Sequence, residues 1–187
     1  RDITGLIKFT KNKFNFIDLL VSNLGSGKFL SSDSNNEDEW RRLFEINFWS
    51  SFNVITNAQK ILKKNKSSIV CISSIVSNKN IIGAPIAYSS SKNVLNTFVK
   101  RYAVKLSEKG IRINIISPGN ILFSGSTWDN KLKKNKKDTI KYISNNVPLN
   151  MFGDIDDISS MIVYLASDKS KFITGSEFVI DGGQSIL

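Results

Sequence analysis

Among its 187 residues the sequence has no histidine and a single cysteine. The first absence excludes a Ser-His-Asp triad, a Cys-His dyad, a His-ligated metal and a histidine acid/base. The second leaves Cys71 alone, which excludes an intrachain disulfide and a cysteine-rich zinc site. No apolar run approaches the roughly 18 residues that suggest a membrane span. The opening Arg1-Asp2-Ile3-Thr4 lacks the apolar core of a signal peptide and does not start with Met. A cytoplasmic location, no membrane, no metal and a processed, trimmed or incomplete chain are expected. Chemistry must rest on Tyr, Lys, Ser, Asn and carboxylates, or on a bound cofactor.

What is present is an ordinary globular composition, 41% hydrophobic and 22% charged, in a chain long enough for one domain with a real core. The net charge is +10. A basic excess can signal nucleic acid or an acidic ligand. The lysines gather at Lys60–Lys66 and Lys131–Lys141 without the interleaved aromatics of a strand-binding surface. They read as solvated surface, with a basic nucleic-acid-binding protein as the weaker alternative.

Four short runs rich in β-branched residues read as buried parallel strands: Ile17 to Ser22, Ile69 to Ser73, Ile113 to Ser117 and Glu177 to Asp181. Helical spacing of Trp40, Phe44, Phe48, Ile55, Ala58 and Leu62 predicts one long helix from about Asp38 to Lys64. A second runs from Tyr88 to Glu108 and stops at Lys109-Gly110. A third, Ile155 to Ala166, has Asp154 as its N-cap. Alternating strands and helices predict a parallel sheet covered on both faces. Gly125 to Asn146 is polar, Lys-rich and weakly helical, and is read as a substrate loop or lid.

In such sheets ligands bind beyond the carboxyl ends of the strands. Those ends are small and polar: Ser22-Asn23-Leu24-Gly25-Ser26-Gly27, Ser73-Ser74 and Ser117-Pro118-Gly119-Asn120. Two helical residues interrupt apolar stripes. Asn47 lies between Phe44 and Phe48 and needs partners, a water among the candidates; a kink or packing amide is the alternative. Tyr88 and Lys92 share a face at i and i+4. An ammonium beside a phenol favours the phenolate, lowers its pKa and makes a histidine-free acid/base. The alternative is a surface Tyr covered by a lysine stem.

Taken in order, Ser22-Asn23-Leu24-Gly25, Asn47, Ser74, Tyr88-Ser89-Ser90-Ser91-Lys92, Ser117-Pro118-Gly119 and Asp181-Gly182-Gly183 resemble the short-chain dehydrogenase/reductase family. The 3-oxoacyl-carrier-protein reductase-like branch is the nearest, and the likeness runs from about Asp2 to Gln184. The resemblance implies a Rossmann-like doubly wound sheet in a single domain over 1–187. It implies an NAD(P)-dependent oxidoreductase that interconverts a ketone and a secondary alcohol, with a small-molecule or carrier-bound substrate and a homodimer or homotetramer. Tyr88 would be the proton donor or acceptor, Lys92 would tune it and hold the cofactor ribose, and Ser74, rather than Ser73, would bind the substrate oxygen. Asn47 would anchor a water beside Lys92. Asn23 and Gly25 would pass the ribose, Pro118 and Gly119 would flank the nicotinamide, and Asp2 would lie near the adenine.

The departures are specific. No G-x-x-x-G-x-G turn for the pyrophosphate is present, and the family carries two strand–helix units and a further strand ahead of the point matching Arg1. The sheet is therefore expected to lack its first strand–helix units, with Ile17 to Ser22 as an exposed edge and weak NAD(P) binding. The choice of NAD or NADP falls in that missing part. A non-catalytic fragment or pseudoenzyme is the alternative. Leu24 stands for the usual Ala, Met151 for Arg, and Phe123 for a Thr, with Ser124 one place on.

Overall fold

The computed structural model describes residues 3–187. Four parallel strands form one sheet in the order β1 (Leu19–Ser22), β2 (Ser68–Ile72), β3 (Arg112–Pro118) and β4 (Glu177–Ile180). The register pairs Val21 with Val70, Cys71 with Ile115 and Ser117 with Val179. All four strands expected from the sequence form, each within two residues of its expected ends.

Both faces of the sheet are covered, as a doubly wound α/β fold requires. On one face Ile69, Cys71, Ile113 and Ile115 pack with Ile55, Leu95, Val99, Ala103 and Leu106. Ile55 comes from α3 (Ser50–Ala58), and the last four from α4 (Ile86–Ser107). On the other, Val70, Ile116, Phe178 and Ile180 meet Ile158, Met161, Ile162 and Leu165, all from α7 (Ile155–Ala166). Burying such side chains stabilises the sheet by about 1.5–3 kcal/mol each. At the β1 edge Leu19 and Val21 remain 37% exposed. α1 (Ile3–Phe14), an element with no counterpart among the expected helices, packs on α3.

Local chemistry sets the helix ends. Asp154 accepts from the amides of Asp156 and Asp157, and the Asp157 carboxylate accepts from the Asp154 amide, a closed capping box. Gly110, at φ +63, ends the α4 segment where a Cβ would stand 2.1 Å from Asn65 Oδ1, so the stop needs glycine.

Two expectations are corrected. The single helix from Asp38 to Lys64 is three pieces: α2 (Glu37–Phe44), a π-helical turn Glu45–Trp49, and α3. α3 ends at Ala58, and Leu62, expected inside the helix, instead forms a parallel bridge with Ile17. The weakly helical loop Gly125 to Asn146 is in fact two helices, α5 (Thr127–Lys134) and α6 (Lys136–Asn146). Ser126 and Asn135 cap them, accepting from Asp129 N and Asp138 N. The Trp128 and Tyr142 rings stack 5.3 Å apart and close the pair together. Among the described residues no helix is long and apolar enough to cross a membrane.

Candidate active site

The site grows from the π-helical turn. A π turn inserts one extra residue and changes which side chains face inward. Here it turns Asn47 fully inside. Its amide donates to Leu43 O at 2.9 Å and to Ser26 O at 3.0 Å, and its Oδ1 accepts from Ser26 N at 2.9 Å. Asn47 occupies a helix bulge and bonds the backbone of Leu43 and Ser26. The bulge thereby pins the loop that leaves β1.

Gly25 sits inside that pinned loop. A Cβ there would meet Asn47 Oδ1 and Lys92 Nζ, each at 3.0 Å. Only a bare backbone passes comfortably between them. Lys92 is buried on α4 and donates from Nζ to Ile72 O at 2.9 Å, at the end of β2. Burial lowers its pKa to about 8. Gly27, two residues on, lies against the Tyr88 ring, where a Cβ would stand 3.3 Å from Cε1.

Tyr88 is half-buried near the start of α4. Burial raises its pKa, and a hydrogen bond from the Ser74 side chain opposes the rise. The expected lowering of the Tyr88 pKa by Lys92 is therefore not seen. The ammonium is aimed at the Ile72 carbonyl, and loss of solvent outweighs the remaining help to the phenolate. Ser74 is extended (φ −167, ψ 153), caps the short helical turn Ile75–Ser77, and accepts from Val76 N at 3.4 Å. The Ser73 hydroxyl is buried and unpartnered.

Tyr88, Ser74, Gly27 and Gly119 line one open cleft of about 690 Å³, with Trp128 and Lys131 of α5 on its far wall. The Gly125 to Asn146 segment thus does border the cleft. Gly119 packs on Asp181, whose Cβ would lie 2.7 Å from an added Cβ, and its amide donates to Ile180 O at 2.9 Å. Asn47, Gly25, Lys92, Tyr88 and Ser74 are thus brought together. Pro118 ends β3 beside them, and Asn23 is exposed at the end of β1. Asp2 lies outside the described residues. Sequence reasoning missed Glu177, taken only as the start of a strand. A carboxylate leading an apolar strand was the available signal.

This fold agrees with the comparisons. The family model described as Enoyl-(Acyl carrier protein) reductase matches residues 1–185. The 3-oxoacyl-[acyl-carrier-protein] reductase FabG of Buchnera aphidicola is 30% identical over 186 residues, covering 99% of this chain and 73% of that protein. A 3alpha-hydroxysteroid dehydrogenase of Mediterraneibacter gnavus is 29% identical over 183 residues, covering 96% of this chain and 70% of the other. A 7 alpha-hydroxysteroid dehydrogenase solved with NADH and 7-oxo glycochenodeoxycholic acid superposes with a TM-score of 0.83 at 28% identity, over 98% of this chain and 69% of that one. The chain belongs to the short-chain dehydrogenase/reductase family. It is an oxidoreductase of that family, related to the 3-oxoacyl-carrier-protein reductases.

Proposed function

We propose that the protein uses NAD or NADP to interconvert a ketone and a secondary alcohol, with Asn47, Ser74, Tyr88 and Lys92 as its working residues. The observation that supports this most is that Ser74 and Tyr88 line the same cleft, with a buried Lys92 one helical turn behind the phenol. The residues fit the nicotinamide-ribose end of the cofactor. A side chain would be crowded by Asn47 and Lys92 at Gly25 and by Asp181 at Gly119, and Lys92 supplies a buried cation beside Gly25. Asn23, Gly25, Tyr88, Lys92, Pro118 and Gly119 would hold that end, and Asp2 would reach toward the adenine. When bound, the nicotinamide supplies or accepts the hydride.

In reduction the Tyr88 hydroxyl donates the proton to the carbonyl oxygen, and its raised pKa keeps it protonated for that purpose. Ser74 donates a hydrogen bond to the same oxygen as negative charge develops there. Lys92 favours the resulting phenolate and aids its reprotonation. Asn47 holds the Ser26 loop and so keeps Gly25 against Lys92.

The substrate end carries Lys28, Lys131 and Lys134 and no carboxylate. On α5 the one acid, Asp129, pairs with Lys133 at 2.7 Å, outside the cleft lining. Lys131 rests 4.3 Å over the Trp128 ring. This wall suits a carbonyl substrate with an anionic group, whether a small molecule or a carrier-bound thioester. A homodimer or homotetramer belongs to the same proposal, supported by the aromatic face of α3 and α4. So does a cytoplasmic setting, whose support is a lone, buried Cys71 with no disulfide to form within the chain. The testing experiment is ketone-dependent oxidation of NADH and NADPH by the protein and by Tyr88→Phe. The variant should lose turnover on the order of 10²–10⁴-fold. Near-normal turnover would refute the assignment.

A further inference from the structure

The Glu177 carboxylate leads β4 beneath the cleft, with its side chain 10% exposed. Its Oε1 accepts from three side chains: Ser117 Oγ at 2.7 Å, Asn78 Nδ2 at 2.8 Å and Asn96 Nδ2 at 2.8 Å. Its Oε2 accepts from Lys100 Nζ at 2.8 Å. The four donors come from β3, from α4 and from the segment just after the Ser74 turn. One carboxylate therefore ties together the strand, the helix and the turn that bound the site.

The tie leads onward to Ser74. Asn96 Nδ2 also donates to Ser77 Oγ at 2.9 Å, and that hydroxyl donates to the Ser74 carbonyl at 2.7 Å. Asn93 Nδ2 donates to Ser77 O at 2.8 Å. Asn93 and Asn96 follow Lys92 on the helix that carries Tyr88, so the network fixes the Ser74 turn directly to the Tyr88 helix. Resting on the reading above, we infer that Glu177 is a positioning residue that sets the Ser74–Tyr88 distance through Asn78, Asn96 and Ser77. It touches neither substrate nor cofactor. A carboxylate suits this post because it accepts four hydrogen bonds and offers none. Glutamine would put an NH₂ against Lys100 or against three donors. Lys100 is its ion-pair partner, and Lys79, across a small neighbouring cavity, bonds the Leu187 carbonyl instead.

The test compares Glu177→Gln, Ser77→Ala and Lys100→Met with the parent. The first two should lower kcat about tenfold, as a small misplacement of a reacting group does, and leave the KM for the cofactor unchanged. Lys100→Met removes the partly exposed ion pair and should leave kcat within twofold. A second readout needs no turnover. The Tyr88 titration, taken as the ultraviolet absorbance difference between each protein and its Tyr88→Phe counterpart, should move to higher pH in the first two variants as the Ser74 hydrogen bond loosens. A residue that only stabilises the fold would shift the melting temperature and not the titration. If Glu177→Gln fails to fold, Ser77→Ala carries the test with Glu177 in place. Unchanged kcat and an unchanged Tyr88 titration in folded variants overturn the inference. Normal turnover in Tyr88→Phe overturns instead the reading on which it rests.

Discussion

The ammonium of Lys92 donates to the carbonyl of Ile72 at 2.9 Å, with no carboxylate paired to it among the described residues. A cation has been taken out of water with a backbone dipole as its compensation. Burial brings its pKa from 10.5 down to about 8. The folded state thus binds fewer protons than the unfolded chain between those two values, so stability should rise with pH across that window. Below pH 8 the full cost of burying the charge is present, about 3 kcal/mol from a shift of that size. Lys92→Met should be more stable than the parent at pH 7 by a large part of that amount, and the gap should close by pH 10.5. Urea unfolding at pH 7, 9 and 10.5 reads it. Parallel stability curves for the two proteins would show that Lys92 does not titrate as a buried group.

The Asn47 amide holds both backbone groups of Ser26. Asn47→Ala removes three hydrogen bonds and leaves Leu43 O and the Ser26 amide and carbonyl in need of partners. The expected cost is about 1–3 kcal/mol, with faster hydrogen exchange at the Ser26 amide. Gly25→Ala attacks the same contact from the other side. Its methyl would sit 3.0 Å from Lys92 Nζ, so Lys92 or the loop must give way. Turnover should fall more than stability does. A Gly25→Ala protein with parental kinetics would show that the loop is looser than the contact implies.

The strands and their order were legible because buried parallel strands are short, apolar runs that need no partner to be recognised. The Tyr88-x-x-x-Lys92 pair stands out by its i, i+4 spacing, whereas Ser74 stands out only through the family resemblance, because a lone serine carries no pattern of its own. Other features were hidden. The π turn leaves an apolar repeat in place, since Leu43 is fully buried and Phe48 packs on the core. Nothing in the periodicity shows that an extra residue has been inserted at Asn47. The helices α5 and α6 were hidden by their composition. Lysine-rich, exposed segments give a weak apolar stripe, and their stability comes from Ser126, Asn135 and the Trp128–Tyr142 stack. Glu177 was hidden because its partners lie 60 to 99 residues away in sequence. The Tyr88 shift runs opposite to the expectation because helical spacing says which residues are neighbours and not where a flexible ammonium points.

The lysine wall makes a quantitative claim about substrate charge. Lys131→Gln with Lys134→Gln should raise the KM of a 3-oxo acid roughly tenfold, a difference of about 1.4 kcal/mol. The KM of its methyl ester should be unchanged. Raising salt should weaken the acid and spare the ester, because exposed charges are screened. Equal effects on acid and ester would mean that the lysines serve the surface and not the substrate.

The last prediction concerns assembly. Trp49 of the π turn and Phe52 of α3 meet Phe98 and Tyr102 of α4, with ring centroids 5.4, 5.2 and 5.0 Å apart along the chain of contacts. The sheet lies behind them, so this face looks outward. Trp49 is 42% exposed and Val94 is 37% exposed. A row of aromatic and branched side chains on two adjacent helices is a surface that association would dry, and two-fold pairing lets one patch cover itself. The C-terminal tail offers a separate surface, with Ile186 83% exposed and Leu187 65% exposed. Each surface should make its own contact. Trp49→Glu with Val94→Glu should abolish pairing through the helices. Ile186→Asp should leave that pairing intact and reduce any tetramer to a dimer. Light scattering at micromolar concentration distinguishes the three species. A monomeric parent protein would remove the proposal altogether, and a dimer that survives Trp49→Glu with Val94→Glu would move the interface away from the helices.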